Sequence, residues 1–597
     1  MFHSRKRALL KGLLSSITLF FVYQKKSYSS ATTSYEEVSS SGLGNPKISS
    51  LSEKKTYAHQ SDFFLKGFFN ILELKKIVGT KGDVIFLTTL CEGKNIGGGQ
   101  LSWKDDTDSD SDDVVFFRVD NTGGWIRDYS NGILATWIGD ITDGEDSSVR
   151  MNILSTLINK YKSRLILPSG IIRISNTWVL NDADDCVIVG QGLARTFVYG
   201  DSSCSGPVIA IRKDGWDINR SYPGPRTRNI TLRDFCITGA LEGQMGLQSD
   251  RDGLFLGGVG FDFEIGYIWF YRLGRRAIVA EDLWDGDIHN CKIHEVGKSK
   301  KDLKSNNQAF TFLRKVDSCN AIRITNNHFE HLKAGAIHIQ DYCHSFFLSN
   351  NKFESVNIDK SFPKAVPIYV GDNHRNFSWF GGFCVLNQQD KSVPYAYIHG
   401  DCTRIIGVDF VTPKKDDGAS ALNLSPGKNG IGAVIQSHFD VRGDLVDSLN
   451  VPIYPIVSSG ASDFSGSTFK IFNPGGLFKF NSSDNNLNAV SIVGIGSTIQ
   501  NVSLISQGGY NNKIEGLRYS GIPYSKLSNQ EVSLDLNNIA MLYNTADHDI
   551  QYGEDVNGAI LKPASTKGTF SRYTISGKWR CMGYAPVGTS TIFMRVD

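Results

Sequence analysis

Acidic residues recur where short apolar segments end in the middle of the chain, and their spacing would suit acid–base chemistry. Each segment has apolar residues at every second position, then a turn, and the segments recur at intervals of roughly 30 residues. The turn residues are Asp282, Arg314, Asp341, Asp372 and Asp401. In stacked parallel strands, neighbouring carboxylates would lie about 5 Å apart, as in retaining glycosidases. Carboxylates two strands apart would lie about 10 Å apart, just outside the usual range for inverting enzymes.

Asp341 and Asp372 are the first candidates for a general acid and its partner, because no basic residue interrupts this pair of turns. Crowded carboxylates raise one another's pKa, as a general acid requires. Glu281 is the reserve acid, and Asp401 is a further candidate. The alternative is that these aspartates only cap backbone groups in successive turns.

Polar and aromatic residues of the same segments form the predicted substrate-binding surface. The candidates are His338, Gln340, Tyr369, Tyr397, His399 and Arg314. Two alignments of the last segment are open. Matching its Gly-Asp pair to the preceding one turns Tyr397 and His399 inward, whereas matching Ile398 with Val370 turns both outward. We prefer the second alignment because burying a histidine costs more than a one-residue bulge. We therefore expect an exposed face of Tyr, His, Gln and Glu, on which sugar rings can stack.

A second pair of acidic residues, Glu330 and Glu354, lies in neighbouring segments close to His331 and forms a second candidate site. The chain has 12 histidines, and none shows metal-site spacing on one helix. Core or surface roles are favoured over zinc ligation, so we predict no metal. No phosphate-cradling loop, nucleophile elbow or dinucleotide fingerprint occurs in a suitable context, so we predict no cofactor.

The repeating segments also predict the fold. One coil of this kind cannot bury its own apolar face, whereas stacked coils can. The inward columns would be Ile278, Phe310, Ile337 and Ile368, and Ile293, Phe329 and Phe353. Asn290, Asn326 and Asn350 fit the turns, where Asn tolerates left-handed backbone. We predict an all-β protein built on a right-handed parallel β-helix. The irregular spacing leaves an antiparallel sandwich as the alternative.

The rest of the chain divides into end regions around this solenoid. We assign a small N-terminal β domain to residues 61–130, the β-helix to 131–473 and a C-terminal β region to 474–597. An amphipathic helix would cap the first coil, with an apolar side made of Val149, Ile153, Leu157, Leu154 and Ile158. Residues 577–582 and 591–596 are predicted to form a terminal hairpin or two strands.

The beginning of the chain resembles an export signal. Residues 1–11 are basic, 13–23 are mostly apolar, and 29–31 offer a candidate cleavage site within the segment 1–32. The apolar run is short for a membrane span. Residues 33–60 are polar and Ser-rich, as in a linker. Export and a role as a virion adaptor or assembly peptide both stay open.

Overall composition excludes some classes of partner. A net charge of +2 over 597 residues gives no strong field, so we expect no nucleic-acid partner. The ten cysteines form no CxxC pair, which favours buried reduced thiols over disulfides or metal ligands.

Several motifs resemble those of phage tailspikes. Residues 97–99 and 123–127 look like the tailspike lead domain, and 137–140 with 143–146 look like a degenerate opening of a pectate-lyase-like β-helix. Residues 167–174 are similar to the first coil of that family, and 577–583 with 592–596 resemble the ending of many tailspikes. The resemblance spans about residues 80–597 and implies a homotrimeric depolymerase of bacterial surface polysaccharide. It assigns no catalytic residues, because the family has no universal catalytic motif.

We therefore expect a depolymerase that cleaves capsule or O-antigen, by glycoside hydrolysis rather than elimination. Its expected partners are that polysaccharide, two further copies of the chain in a homotrimer, and a phage tail adaptor. It would act on the virion tail or, if the N-terminal signal functions, as a periplasmic or secreted protein. The alternatives are an exported β-helix protein of exopolysaccharide assembly, a lyase with His338, Tyr369 or Tyr397 as base, and a non-catalytic carbohydrate-binding spike.

Overall fold

The structure is a computed structural model, and it describes most of the chain beyond residue 66. The described residues are 67–68, 71–90, 96–204, 206–216, 226–241, 250–297, 308–356, 366–385, 396–400, 402–412, 422–425, 432–435, 437–441, 456–459, 462–472, 478–481, 485–495, 505–507, 513–515, 518–520, 539–563, 575 and 577–596. The predicted signal (1–32) and linker (33–60) lie outside them.

The central region is a parallel β-helix, as the repeats predict. Its first face is a 12-stranded parallel sheet to which each coil contributes one strand. The strands of the first face are Trp178–Asn181, Ile209–Arg212, Leu254–Gly257, Ile278–Glu281, Phe310–Leu313, Ile337–Ile339, Ile368–Val370, Ala396–His399, Leu422–Ser425, Ile456–Ser458, Phe478–Phe480 and Ile505–Gln507. The antiparallel sandwich is thereby excluded for this region.

The other two faces belong to one 25-stranded sheet that bends at a corner in each coil. From Trp284–His289 onward its strands alternate between a second face and a third face, and Lys292–His294 begins the third. Its strands are Ile133–Leu134, Leu165–Ile166, Gly170–Ile174, Val187–Val189, Thr196–Gly200, Thr231–Thr238, Phe263–Tyr271, Trp284–His289, Lys292–His294, Asn320–Thr325, His328–Leu332, His344–Ser349, Lys352–Val356, Arg375–Phe380, Phe383–Val385, Arg404–Ile406, Asp409–Thr412, Gly432–Ile435, His438–Val441, Ser462–Asp463, Thr468–Phe472, Asn486–Asn488, Ser491–Ile495, Lys513–Glu515 and Arg518–Ser520. A further two-stranded pair joins Thr227–Arg228 and Val259–Gly260.

The core lies inside the coils and is built from the predicted columns. Ile278, Phe310, Ile337 and Ile368 are paired in register and all but fully buried. On the third face Phe329 stacks on Phe353 with ring centroids 4.9 Å apart. The parallel register therefore places like side chains on successive rungs, which buries apolar area that one coil alone would expose.

A two-residue corner joins the second and third faces in five successive coils. These corners are residues 290–291, 326–327, 350–351, 381–382 and 407–408. Asn290, Asn326 and Asn350 adopt positive φ there, as predicted. The buried amide of Asn351 accepts the N–H of Asn327 at 3.0 Å, and a ladder of asparagine amides thereby fixes one rung to the next.

Smaller elements precede and follow the solenoid in the chain. The N-terminal sheet contains Gly67–Phe68, Val84–Leu87, Gly99–Asp105, Phe116–Arg118 and Gly123–Arg127. The helices are Ile71–Leu74, Ala135–Ile138 (3-10), Ser148–Tyr161 and Gly558–Ile560 (3-10). Helix Ser148–Tyr161 packs on the first coil with Leu154, Leu157 and Ile158. Val149 and Ile153 are exposed, contrary to the predicted apolar face, because Met151 takes the buried position instead.

The solenoid extends past the predicted boundary at residue 473. Parallel pairs continue to Lys513–Glu515 and Arg518–Ser520, although the strands there are short. The C-terminal sheet contains Ile539–Asn544, Asp555–Asn557, Leu561–Pro563, Lys578–Cys581 and Ser590–Arg595. Its last two strands pair antiparallel, which confirms the terminal hairpin.

Two further features concern the cysteines and the helices. The nine described cysteines are free thiols, and all but Cys402 are buried. Within the described residues, no helix has the length and apolar character needed to cross a membrane.

Candidate functional site

Outward positions of the first face bring four aromatic side chains together. His338 pairs in register with Tyr369, and Tyr369 with Tyr397. Their ring centroids lie 4.8 and 5.5 Å apart, with interplanar angles of 9° and 5°. His399 stacks on Tyr397 at 3.8 Å. We call His338, Tyr369, Tyr397 and His399 the aromatic ladder.

The ladder corrects one part of the predicted surface and confirms another. Ile398 pairs with Val370, so Tyr397 points outward as preferred. His338, however, is only 3% exposed, and the expectation of an exposed His338 was wrong. Tyr369 covers one side of its ring, and burial lowers the pKa of His338 to about 4. The imidazole is therefore neutral at neutral pH, which makes its burial tolerable.

Two of the predicted aspartates cap backbone groups of the next rung. Asp282 is fully buried, and its carboxylate accepts the N–H groups of Lys315 and Val316 at 2.8 and 3.0 Å. Asp341 Oδ1 accepts the N–H of Asp372 at 3.0 Å. Asp282 is thus an element of a turn ladder, whereas Asp341 combines a cap with a place beside Asp372.

Asp372 lies at the end of the aromatic ladder and faces solvent. Its side chain is 66% exposed, and its Oδ1 lies 2.7 Å from Nδ1 of His399. Burial lowers the pKa of His399, while the Asp372 carboxylate partly opposes that shift. Nε2 of His399 is buried and has no hydrogen-bond partner among the described residues. Asp372 and His399 therefore form a carboxylate–imidazole pair beside the ladder.

The remaining predicted site residues are less central. Glu281 is buried, 3.4 Å from Lys315, and burial raises its pKa in the direction that a general acid needs. Gln340 Oε1 accepts the backbone N–H of Arg314, and the Arg314 guanidinium lies 4.8 Å from the ring centroid of Tyr342. The predicted catalytic Asp401 lies outside the described residues.

The phenols of the ladder stay protonated near neutral pH. Burial raises the pKa of Tyr369 to about 12, and the charges of Asp341 and Asp372 add to the shift. Burial and Asp372 raise the pKa of Tyr397 in the same way. Both groups can therefore donate hydrogen bonds to hydroxyl oxygens, and neither is suited to remove a proton at neutral pH.

The second candidate site lies on the third face. His294, Glu330 and Glu354 pair in register on three successive rungs. Nε2 of His328 lies 3.5 Å from Glu330 Oε2 and 3.3 Å from Glu354 Oε2. Nδ1 of His331 lies 3.5 Å from Glu330 Oε1. We call His294, His328, Glu330, His331 and Glu354 the histidine–glutamate cluster.

This cluster contains ligand sets that the sequence did not reveal. His294, Glu330 and His331 offer atoms within 4.8 Å of one another, and so do His328, Glu330 and Glu354. His294 comes from a different rung than His328 and His331, so no short spacing links it to them. Only the repeat of Glu330 and Glu354 indicated a site here, and their predicted stacking is confirmed.

Two comparisons by sequence found no match for this chain. No protein-family model matches it, and no curated protein matches it significantly.

Three solved structures illustrate what the fold is similar to. The gp42 tailspike of Acinetobacter phage vb_AbaP_AS12 shares 11% identity, with a TM-score of 0.47 over 89% of this chain and 94% of that one. The enzymatically active domain of tailspike protein 2 from bacteriophage CBA120 shares 12%, with a TM-score of 0.41 over 87% and 70%. Pantoea stewartii WceF, a glycan biofilm modifying enzyme, shares 11%, with a TM-score of 0.33 over 89% and 69%. Each likeness concerns the fold alone.

Proposed function

We propose that this chain binds a bacterial surface polysaccharide along the first face and cleaves it there. One observation carries the proposal: aromatic rings stack in parallel on three successive rungs, and a solvent-facing carboxylate lies at their end. Rings in fixed register form a rigid platform, and rigid platforms bind extended ligands without a large entropic cost.

Binding would use the two partly exposed rungs of the aromatic ladder, Tyr369 and Tyr397. Tyr369 and Tyr397 are partly exposed, so their rings can contact sugar rings and their hydroxyls can bond to sugar hydroxyls. His338 is buried beneath this surface and supports Tyr369 instead of touching the glycan.

Cleavage would use Asp341 and Asp372 as the acid and its partner in glycoside hydrolysis. Asp341 Oδ1 accepts the backbone N–H of Asp372 from the adjacent rung, and adjacent rungs of a parallel stack are about 4.8 Å apart. This spacing suits a retaining mechanism, in which one carboxylate attacks and the other donates and then accepts a proton. Glu281 is the reserve acid because burial favours its neutral form. Asp401 stays a candidate from the sequence.

The test is turnover of purified capsules and O-antigens, followed by new reducing ends. Asp341→Asn and Asp372→Asn should each lower turnover at least about a hundredfold, the scale of a lost acid or base. Asn can still accept the backbone N–H, so the melting temperature should hardly change. Asp409→Asn, at an exposed aspartate of the third face, is the matched control. Full activity in both variants would refute the assignment.

A lyase is the second candidate, and the Asp372–His399 pair favours it. A neutral imidazole held by a carboxylate can accept a proton from a uronic acid at the ring carbon beside the carboxylate, which here requires the His399 ring to turn and expose its buried Nε2. The protonated phenols make Tyr369 and Tyr397 weaker candidates, and the buried His338 is out of reach. An unsaturated product that absorbs in the near ultraviolet would decide for elimination, and saturated oligosaccharides would decide for hydrolysis.

We also propose a homotrimer, mounted on a phage tail through an adaptor or, in the export alternative, acting outside the cytoplasm. The sheet of residues 539–596 follows the last described rung and is the candidate trimer clamp. Light scattering should give three chains for the full protein and one chain after deletion of residues 539–597. A monomer mass for the full protein at micromolar concentration would refute the trimer.

A further inference from the structure

We propose that His294, Glu330 and His331 bind a divalent transition-metal ion of the zinc class, with a position left open for an external ligand. This site lies on the third face, and the proposed cleavage on the first face does not need it. Two imidazoles and one carboxylate are the donor set that zinc takes with an open fourth position.

The distances match the edges of a zinc tetrahedron. Nε2 of His294 lies 3.3 Å from Nδ1 of His331, and that nitrogen lies 3.5 Å from Glu330 Oε1. Bonds of about 2.0–2.1 Å to a tetrahedral ion place neighbouring donor atoms roughly 3.3–3.4 Å apart. An ion can therefore be placed among these atoms with small side-chain shifts.

The backbone explains why all three donors meet. His294 and Glu330 are register partners on adjacent strands, so their side chains point the same way. Neighbouring residues of a strand normally point to opposite sides. His331 escapes this rule because its φ is +53°, a left-handed conformation that brings its ring to the side of Glu330.

The groups around the three donors favour a cation. The second oxygen of Glu330 lies 3.5 Å from Nε2 of His328, an outer contact that orients a metal-binding carboxylate. The nearby cation Arg272 is paired with Glu295 at 3.2 Å.

The neighbouring triad of His328, Glu330 and Glu354 is the weaker of the two. Lys352 Nζ lies 2.5 Å from Glu354 Oε2 and lowers the pKa of that carboxyl. The ammonium group already supplies the positive charge that an ion would bring. We therefore place one ion, and not two, in the cluster.

The open position would face a polar and aromatic surface. Tyr271 pairs in register with His294, and Trp269 lies 4.5 Å from the Tyr271 ring. A water molecule or an anionic group of a sugar could complete the coordination. The site would then bind acidic glycans apart from the aromatic ladder.

The experiment titrates the full-length, tag-free, chelator-treated protein with Zn²⁺ by calorimetry and with Co²⁺ by visible absorption. We expect one equivalent per chain and the absorption bands of tetrahedral Co²⁺. His294→Asn, His331→Asn and Glu330→Gln should each weaken Zn²⁺ binding at least about tenfold. His438→Asn, a partly buried histidine elsewhere on the third face, is the matched control and should leave binding unchanged.

Two further measurements distinguish loss of metal binding from loss of the fold. Melting of each variant without metal shows whether the fold survives, and Glu330→Gln keeps the side-chain shape if a histidine variant does not fold. Zn²⁺ should raise the melting temperature of the parent protein and not that of Glu330→Gln. No binding at a Zn²⁺ concentration of about 100 μM, or binding that survives all three substitutions, would overturn the proposal.

Discussion

The aromatic ladder and the histidine–glutamate cluster share the same rung spacing but differ in how their side chains interact. In the ladder, stacked rings bury one another, and His338 is only 3% exposed. In the cluster, Glu330, Glu354 and His328 stay about one-third exposed and interact as ions or ligands. A parallel register places equivalent positions of successive coils beside one another. The residue types at those positions therefore decide whether a face carries stacked rings or a group of ionisable side chains.

The two faces also differ in where their charged side chains lie. On the first face, Asp282 and Asp341 lie at turns, where they accept backbone N–H groups. Charged groups of the third face lie on the strands themselves, where Lys352 and Glu354 are ion-paired. Polysaccharide would therefore meet rings first and carboxylates at the edge on one face, and carboxylates directly on the other.

The largest expected difference is in catalysis. Asp372→Asn should lower turnover at least about a hundredfold, whereas Glu354→Gln should leave it within about twofold. The physical reason is that Asp372 is exposed beside the aromatic ladder, while Lys352 neutralises Glu354. Reducing-end assays on the same polysaccharide measure both. If Glu354→Gln or Glu330→Gln abolished turnover instead, the cleavage site would be on the third face.

A smaller difference is expected in glycan binding. Tyr397→Ala removes one ring of the platform and should weaken binding about tenfold, the equivalent of about 1.4 kcal/mol. Tyr271→Ala removes a ring beside the cluster and should leave binding unchanged for a neutral polysaccharide. Calorimetry in an Asp341→Asn background avoids cleavage during the measurement. Equal losses in both variants would show that the two faces bind one chain together.

The smallest difference is expected in acid stability. The pKa of His338 falls from 6.5 to about 4 on folding because its ring is buried. The unfolded chain then binds the proton more readily, so stability is complete above pH 6.5 and declines as the pH falls toward 4. Between about pH 7 and 5.5 this residue should account for about 1 kcal/mol of lost stability.

His338→Phe can stack on Tyr369 without titrating, so it should flatten that part of the pH profile. Urea unfolding at several pH values compares this variant with the parent protein. A profile that His338→Phe does not alter would assign acid sensitivity to other buried histidines, of which His374 has its pKa lowered to about 3.

The sequence predicted the repeat and the columns because both follow from local alternation. Ile278 with Phe310 and Tyr369 with Tyr397 could be aligned from apolar parity alone. Burial of His338 could not be predicted, since it depends on what packs over the rung from outside the strand. The meeting of His294 with His331 could not be predicted either, because it needs the left-handed backbone at His331.

The end of the solenoid shows a different limit of sequence patterns. Strands such as Phe478–Phe480 and Arg518–Ser520 have only three residues, too few for alternation to be visible. Their place in the stack is set by the preceding rung, which supplies backbone partners in register. A boundary drawn where the pattern fades was therefore too early.

The two-residue corners between the second and third faces have a consequence for how this protein can diversify. Among the coils that contain these corners, the other connections differ in length, for example 333–336 and 295–309. Asn351 accepts a hydrogen bond from the backbone N–H of Asn327, so a residue inserted at either of these two corners would disturb that contact between rungs. Lengthened connections elsewhere leave the stacked positions unmoved. The connections can therefore differ in length from coil to coil while the stacked side chains keep their places.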